Sequence, residues 1–195
     1  VGAIDGSQLG TQLKAAKDSG ASVIAYDRLL KNTADVDYYI AYDNFKVGQL
    51  QGQALLDGLA MKKPAGPYNI ELFAGSLDDN NAFFFFNGAM DVLQPLIDDG
   101  TLVVKSGQTD IEQAATLRWH GEVAQSRMED LLTANYSDGS KVNAVLSPYD
   151  GLSRGIISAL TDAGYTVGAE WPIISGQDAE VDSVKAILAG EQYAT

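Results

Sequence analysis

Short apolar runs alternate with longer amphipathic stretches along the whole chain, and this alternation restricts the fold more than any other property of the sequence. Residues 21–26 (ASVIAY), 36–42 (VDYYIAY), 68–74 (YNIELFA), 101–105 (TLVVK), 142–146 (VNAVL) and 171–174 (WPII) read as strands, and 1–4 as the end of one. Between them lie stretches of helical period: 8–19, with Leu9, Leu13 and Ala16 on one face, and 45–59, with Val47, Leu50, Ala54, Leu55 and Leu59 on one face. Further helices are predicted from the 78–81 loop to about 97, over 122–134, from about 151 to 163, and over 181–188. Gly20, Gly164 and Gly190 stand where three of these helices should stop, and KKPAGP at 62–67 reads as a loop. Strand–helix alternation of this kind implies an α/β fold with a mostly parallel sheet and helices on both faces.

The polar residues are not scattered. Asp5, Asp27-Arg28, Asp43-Asn44, the run 78–81, Gln108, Tyr149-Asp150 and Gln177-Asp178 each follow directly on a predicted strand. Ligands of open α/β sheets bind outside the carboxyl ends of the strands. The same residue types are also the preferred helix caps, and Asp5 and Asp43-Asn44 are expected to be caps or turn formers only. Asp27-Arg28 has no helix beginning beside it, and a carboxylate next to a guanidinium presents both acceptors and forked donors. The stretch 72–88, LFAGSLDDNNAFFFFNG, reads as a strand, a polar loop and a capped helix. Four acidic or amide side chains followed by four phenylalanines make a polar rim on an apolar wall, which suits a ligand with many hydroxyls and apolar ring faces. The same residues also fit a plain helix cap followed by core phenylalanines.

Several chemistries find no support. Of the 195 residues none is cysteine and one, His120, is histidine, so thiol nucleophiles, disulfides and thiolate metal sites are excluded and no metal site is expected. There is no GxGxxG, no Walker-type loop and no GxSxG elbow, and no cofactor is implied. A net charge of −13 without a basic patch argues against nucleic acid. The longest apolar runs are strand-length, so no membrane-spanning helix is expected. Paired carboxylates, Asp79 with Asp178 or with Asp27, would serve a glycosidase, but the abundance of amides beside them favours binding over hydrolysis. Trp119 suits stacking on a sugar ring and equally suits core filling. The opening VGAIDG reads as a strand already under way and the closing GEQYAT as one just beginning, so a fragment of a longer chain is expected.

Taken together and in order, YDR at 26–28, DDNNA at 78–82, LRWHGEVAQSRME at 117–129, SPYDG at 147–151 and SGQDAEV at 175–181 resemble the periplasmic sugar-binding proteins of ABC-type transporters. Within them the resemblance is to the xylose-binding and multiple-sugar-binding subgroup, and it covers nearly the whole chain. It implies the periplasmic-binding-protein type I fold: two Rossmann-like lobes with mostly parallel sheets flanked by helices, joined by three crossing strands, with sugar held in the cleft. Residues 1–42 then belong to a partial N-terminal lobe and 43–195 to a nearly complete C-terminal lobe. The sugar-binding residues carried over are Asp27, Arg28, Asp79, Asn81, Trp119, Tyr149, Asp150 and Asp178. At Tyr149 the family often has Asn, so either Tyr149 or Asp150 supplies that contact. The implied partners are a monosaccharide and a membrane permease, with a chemotaxis or signalling receptor as a further docking partner, in the periplasm or on an extracytoplasmic lipoprotein. An effector domain of a sugar-responsive regulator and a carbohydrate-processing enzyme are the alternatives. By the same resemblance, the first N-lobe strand and the segment after Thr195 are missing from the set, so this chain is expected to hold part of the site, to bind poorly alone and to expose strand edges.

Overall fold

The computed structural model describes residues 1–62 and 65–195. Its elements run in chain order α1 (Gly10–Asp18), β1 (Ile24–Tyr26), β2 (Tyr38–Ile40), α2 (Asn44–Lys62), β3 (Tyr68–Leu72), α3 (Asn80–Asp98), β4 (Leu102–Val104), α4 (Ile111–Ala114), α5 (Gly121–Asn135), β5 (Ala144–Leu146), α6 (Asp150–Asp162), β6 (Ile173–Ile174) and α7 (Val181–Ala189). The alternation read from the sequence is therefore present, with strands shorter than the apolar runs that contain them. Residues 1–4 carry no strand; their ladder contact is confined to Val1, which donates to the Ile24 carbonyl at 2.8 Å and accepts from the Tyr26 N–H at 2.9 Å. The short helix α4 lies in a stretch whose polar composition hid it. The loop expected over 62–67 falls in part on residues 63 and 64, which lie outside the described residues.

Among the described residues two parallel sheets form. One pairs β1 with β2; the other has the order β4-β3-β5-β6. In the larger sheet, side chains alternate between faces as the pleat requires. Ile70, Leu72, Ala144, Leu146 and Ile173 point into a core shared with Leu55 and Leu59 of α2 and Phe86 and Leu93 of α3. Phe73, Val145 and Ile174 point to the other face, against Met128 of α5 and Leu152, Ile156 and Leu160 of α6. A separate small core, Leu13, Val23, Ala25 and Leu30, holds α1 on the β1–β2 pair.

The buried face of α2 differs from the periodicity reading. Leu50 is 58% exposed; the buried face runs through Gly48, Gln51, Gly52 and Leu55, and Gly48 and Gly52 lie against α3. A Cβ on Gly48 would sit 2.1 Å from the Phe85 carbonyl oxygen, and one on Gly88 would sit 2.1 Å from that of Phe45. The two helix backbones touch, so the seam is built by what is absent from the side chains, which a count of apolar residues passes over.

One carboxylate lies inside the larger sheet. Glu71, on β3, is 0% exposed and accepts from the Tyr136 hydroxyl at 2.8 Å, the Ser106 hydroxyl at 2.6 Å and the Ser106 N–H at 3.2 Å. Burial pushes its carboxyl above the usual range, against the pull of those donors and of Arg127. Arg127 donates to the Leu72 carbonyl at 2.9 Å and to Gln108 at 2.7 Å, and burial lowers it to about 10. Gln108 is thus engaged by Arg127.

Candidate functional site

The loops that follow β1, β3, β5 and β6, with the turn before α5, converge on a cavity of about 330 Å³ lined by Asp27, Arg28, Asp79, Asn81, Phe85, Arg118, Trp119, Pro148, Tyr149, Gln177 and Asp178. That volume is at the lower end of the roughly 300–1,000 Å³ of small-molecule sites. Its position, outside the carboxyl ends of parallel strands, is the one the polar clusters pointed to.

Asp79 is the hub. It is the N-cap of α3 and 3% exposed, and its Oδ1 accepts from the Asn81 N–H at 3.0 Å. Its Oδ2 accepts from the Trp119 indole N–H at 3.2 Å and faces the Arg28 Nε at 3.0 Å. Burial pushes the Asp79 carboxyl up, while the Asn81 N–H and the Arg28 charge pull it down. With three donors on two oxygens it is an organising acceptor, not a free acid. Asn81 extends the network: it receives Asn44 at 2.8 Å and donates to the Asp27 carboxylate at 3.3 Å. Arg28 also donates to the Ile4 carbonyl at 2.7 Å. The β1 loop and the β3 loop are therefore tied across the cavity by charged and amide groups. Asp43 caps α2 through the Lys46 N–H at 3.0 Å, and Asp5 closes a turn on Ser7, so both act as the local formers expected; Asn44 does more, orienting Asn81.

The apolar wall is aromatic. Trp119 stands edge-on to Phe85, with ring centroids 6.4 Å apart, and to Tyr149 at 6.1 Å. Its ring rests directly on Gly75, where a Cβ would lie 2.1 Å from the indole carbons; here glycine is required by close approach. Of the four consecutive phenylalanines, Phe86 goes to the core with Ala89 and Leu93, and Phe85 turns to the cavity. The run is thus divided, one member in the core and another on the cavity wall. Tyr149 donates to Glu180 at 2.8 Å, and Glu180 pairs with Arg154 at 2.5 Å. Burial, reinforced by Glu180, raises the Tyr149 phenol. Burial and the carboxylates of Asp150, Glu180 and Asp27 raise Asp178.

The backbone is strained at this place. Among the described residues six non-glycine residues have left-handed φ, and four of them line the cavity: Asp27 (65°), Arg118 (52°), Trp119 (58°) and Asp178 (94°). Each such conformation costs on the order of 1–3 kcal/mol, and such residues cluster where function needs a side chain aimed.

Of the sequence-predicted residues, Asp27, Arg28, Asp79, Asn81, Trp119, Tyr149 and Asp178 line the cavity. Asp150 does not. It is 0% exposed and its carboxylate is taken up by donors of its own chain. Of the two residues offered for one contact, only Tyr149 faces the cavity, because Asp150 is already the first residue of α6 and its side chain turns back toward the β6 loop. Phe85, Arg118, Pro148 and Gln177 complete the lining. Gln177 and the phenylalanine run were singled out in the sequence without being named as contacts, whereas Arg118 and Pro148 only neighbour residues that were named; Arg118 and Trp119 both have left-handed φ. The Arg118 guanidinium has no hydrogen-bond or ion-pair partner among the described residues, and its backbone N–H donates to Ser76 at 2.8 Å. His120 is exposed at the N-cap of α5, away from the lining. Among the described residues no group of three or more His, Asp or Glu could hold a metal ion, and no helix is long and apolar enough to cross a membrane.

The sequence pattern of the periplasmic binding protein domain matches residues 1–195. The chain belongs to the periplasmic binding protein family. Its similarity to individual members is uneven in length and strong in identity. It is 58% identical, over all of this chain and 55% of the relative, to the multiple sugar-binding periplasmic receptor ChvE of Rhizobium radiobacter. It is 40% identical, over 98% of this chain and 52% of the relative, to the D-xylose-binding periplasmic protein of Escherichia coli. A crystal structure of an ABC transporter solute binding protein from Clostridium phytofermentans with bound β-D-glucose superposes with a TM-score of 0.89 at 47% identity, covering 98% of this chain and 58% of that one. The fold is thus periplasmic binding protein type I, as the resemblance implied, and the chain spans about half the length of the curated relatives it matches.

Proposed function

We propose that this chain carries the sugar-contacting part of the substrate-binding component of an ABC sugar importer, and that the ligand is a monosaccharide such as D-glucose or D-xylose. One observation carries the reading. A cavity of about 330 Å³ is framed by acceptors and donors from two separate sheets and walled by the edge-packed Phe85, Trp119 and Tyr149. Vicinal hydroxyls need adjacent acceptors and forked donors, which Asp27, Arg28, Asp79, Asn81, Gln177 and Asp178 supply. The apolar face of a pyranose needs a flat ring, which Trp119 supplies. Relatives whose names state sugar binding, at 58% and 40% identity, support the same reading.

In this reading 1–42 belongs to the N-terminal lobe and 43–195 to the C-terminal lobe, and sugar bridges the Asp27-Arg28 side to the Asp79–Trp119 side. Closure follows from differential affinity: a ligand that completes contacts to both sides stabilises the closed arrangement over the open one. The site binds and does not hydrolyse, since Asp79 is held as an acceptor by three donors. The closed form hands the sugar to a membrane permease and presents a surface to a chemotaxis or signalling receptor, in the periplasm or anchored outside the membrane as a lipoprotein.

Intrinsic tryptophan fluorescence of the full-length protein, titrated with D-glucose, D-xylose, D-galactose, L-arabinose and D-ribose, tests this. Saturable binding of at least one sugar, weakened by Trp119→Ala, is expected. No response to any of them in fluorescence or calorimetry refutes it.

A further inference from the structure

Asp150 stands beside the cavity without entering it, and its four hydrogen bonds all lead to two short segments. Its Oδ1 accepts from the Gln177 N–H at 3.2 Å and from the Gln192 amide at 2.8 Å. Its Oδ2 accepts from the Glu180 N–H at 2.9 Å and from the Thr195 hydroxyl at 2.8 Å. Its own N–H donates to the Gln177 carbonyl at 3.1 Å. The Thr195 oxygen in turn accepts from the Ala179 N–H at 2.9 Å. One carboxylate therefore grips the loop 177–180 at both ends and, through Thr195, in the middle. That grip is close: on Gly176 a Cβ would fall 2.3 Å from Asp150 Oδ1 and 2.2 Å from the Gln192 amide nitrogen.

The loop so held is one of the strained segments. Asp178 and Ala179 are consecutive non-glycine residues with φ of 94° and 51°, a conformation that persists only where its surroundings over-determine it. Gln177 and Asp178 are the two cavity-lining residues it carries. No hydrogen-bond donor reaches the Asp178 carboxylate among the described residues, so its aim is set by the backbone beneath it.

We infer that Asp150 is the positioning residue of this cavity, holding the 177–180 loop in its left-handed shape so that Asp178 faces the ligand, and coupling that loop to the segment 192–195. The inference rests on the sugar-binding reading above and deepens it. Asparagine at 150 keeps the volume but turns an NH2 toward one pair of donors, so one end of the grip must open.

The test is a set of double-substitution cycles in the full-length protein, read with D-glucose and D-xylose by calorimetry. Asp150→Asn is expected to weaken binding about tenfold or more. In an Asp178→Ala background the same substitution should cost less than about twofold, because the side chain it aims is gone; in a Trp119→Ala background the full loss should remain. Hydrogen exchange of the Gln177 and Glu180 amides, with no sugar present, should quicken in Asp150→Asn. Wild-type affinity in folded Asp150→Asn, a loss that multiplies in full with Asp178→Ala, or unchanged exchange at both amides overturns the inference. Thr195→Val, which keeps the side-chain volume and removes only the hydroxyl, carries the same cycle should Asp150→Asn fail to fold. A several-fold loss that vanishes beside Asp178→Ala is expected, and unchanged affinity overturns the coupling. Absence of sugar binding by the wild type refutes the proposed function instead, and the exchange measurement still decides whether Asp150 holds the loop.

Discussion

Placing a methyl group at Gly75 should move Trp119 and little else. A Cβ there lies 2.1 Å from two indole carbons and 2.6 Å from a third. Carbon atoms pack at about 3.5–4.0 Å, so the ring must withdraw by about 1.4 Å. It cannot withdraw freely: its N–H is held by Asp79 at 3.2 Å, and Phe85 and Tyr149 stand against its edges. A shift of that size takes the indole N–H beyond hydrogen-bond range of a buried carboxylate, and hydrogen bonds to charged groups contribute about 1.5–3 kcal/mol. If the ring contributes to sugar binding from its present place, Gly75→Ala should weaken affinity by about tenfold, one factor of ten for about 1.4 kcal/mol. The assay is a calorimetric sugar titration paired with tryptophan emission. The second tryptophan, Trp171, is 5% exposed and donates to the Glu191 carbonyl at 2.8 Å in the α6-side core, so it supplies a constant background. Unchanged affinity together with an unchanged emission spectrum would refute the placement of the ring on Gly75 and the role given to it.

Two further outcomes concern stability. Gly48→Ala should lower stability by about 1–3 kcal/mol through overpacking, since its Cβ would meet the Phe85 carbonyl at 2.1 Å; chemical denaturation measures it, and a neutral result would mean that α2 and α3 do not touch backbone to backbone. Glu71 bears on pH. Its folded pKa is raised by burial, so the stability it contributes is present below its unfolded value, about 4.3, and is lost as pH rises through the folded one. The stability of wild type minus that of Glu71→Gln should therefore fall as pH rises above about 4, and a difference that grows with pH contradicts the assignment.

The local elements were legible because their causes are local. Apolar residues at helical or strand spacing, a capping Asp79 and a closing Gly190 with φ of 81° are read from a few neighbouring residues. The neighbourhood of the site was legible for a topological reason: in a parallel sheet every strand ends on the same side, so polar residues scattered over 150 positions gather once the strands pair. Family resemblance named eight residues; Asp27, Arg28, Asp79, Asn81, Trp119, Tyr149 and Asp178 face one cavity, and Asp150 does not.

What depended on tertiary packing was orientation. Tyr149 and Asp150 are adjacent and both polar, and only the turn into α6 sends one toward the cavity and the other into a buried grip on the β6 loop. Phe85 and Phe86 are indistinguishable by composition, and the pitch of α3 against the sheet assigns one to the cavity and one to the core. Leu50 has the hydropathy of a core residue and lies in solvent, because the glycines of α2 bring its other face against α3. The left-handed backbone at Arg118 and Trp119 leaves no mark in residue type, since no glycine signals it. By itself the sequence determined most of the elements (not α4, nor the absence of a strand over 1–4), their order and the side of the sheet on which polar groups collect, because those follow from short-range spacing and strand direction. Only the tertiary structure decided which member of each adjacent pair is aimed at the cavity, because that depends on contacts between residues far apart in the chain.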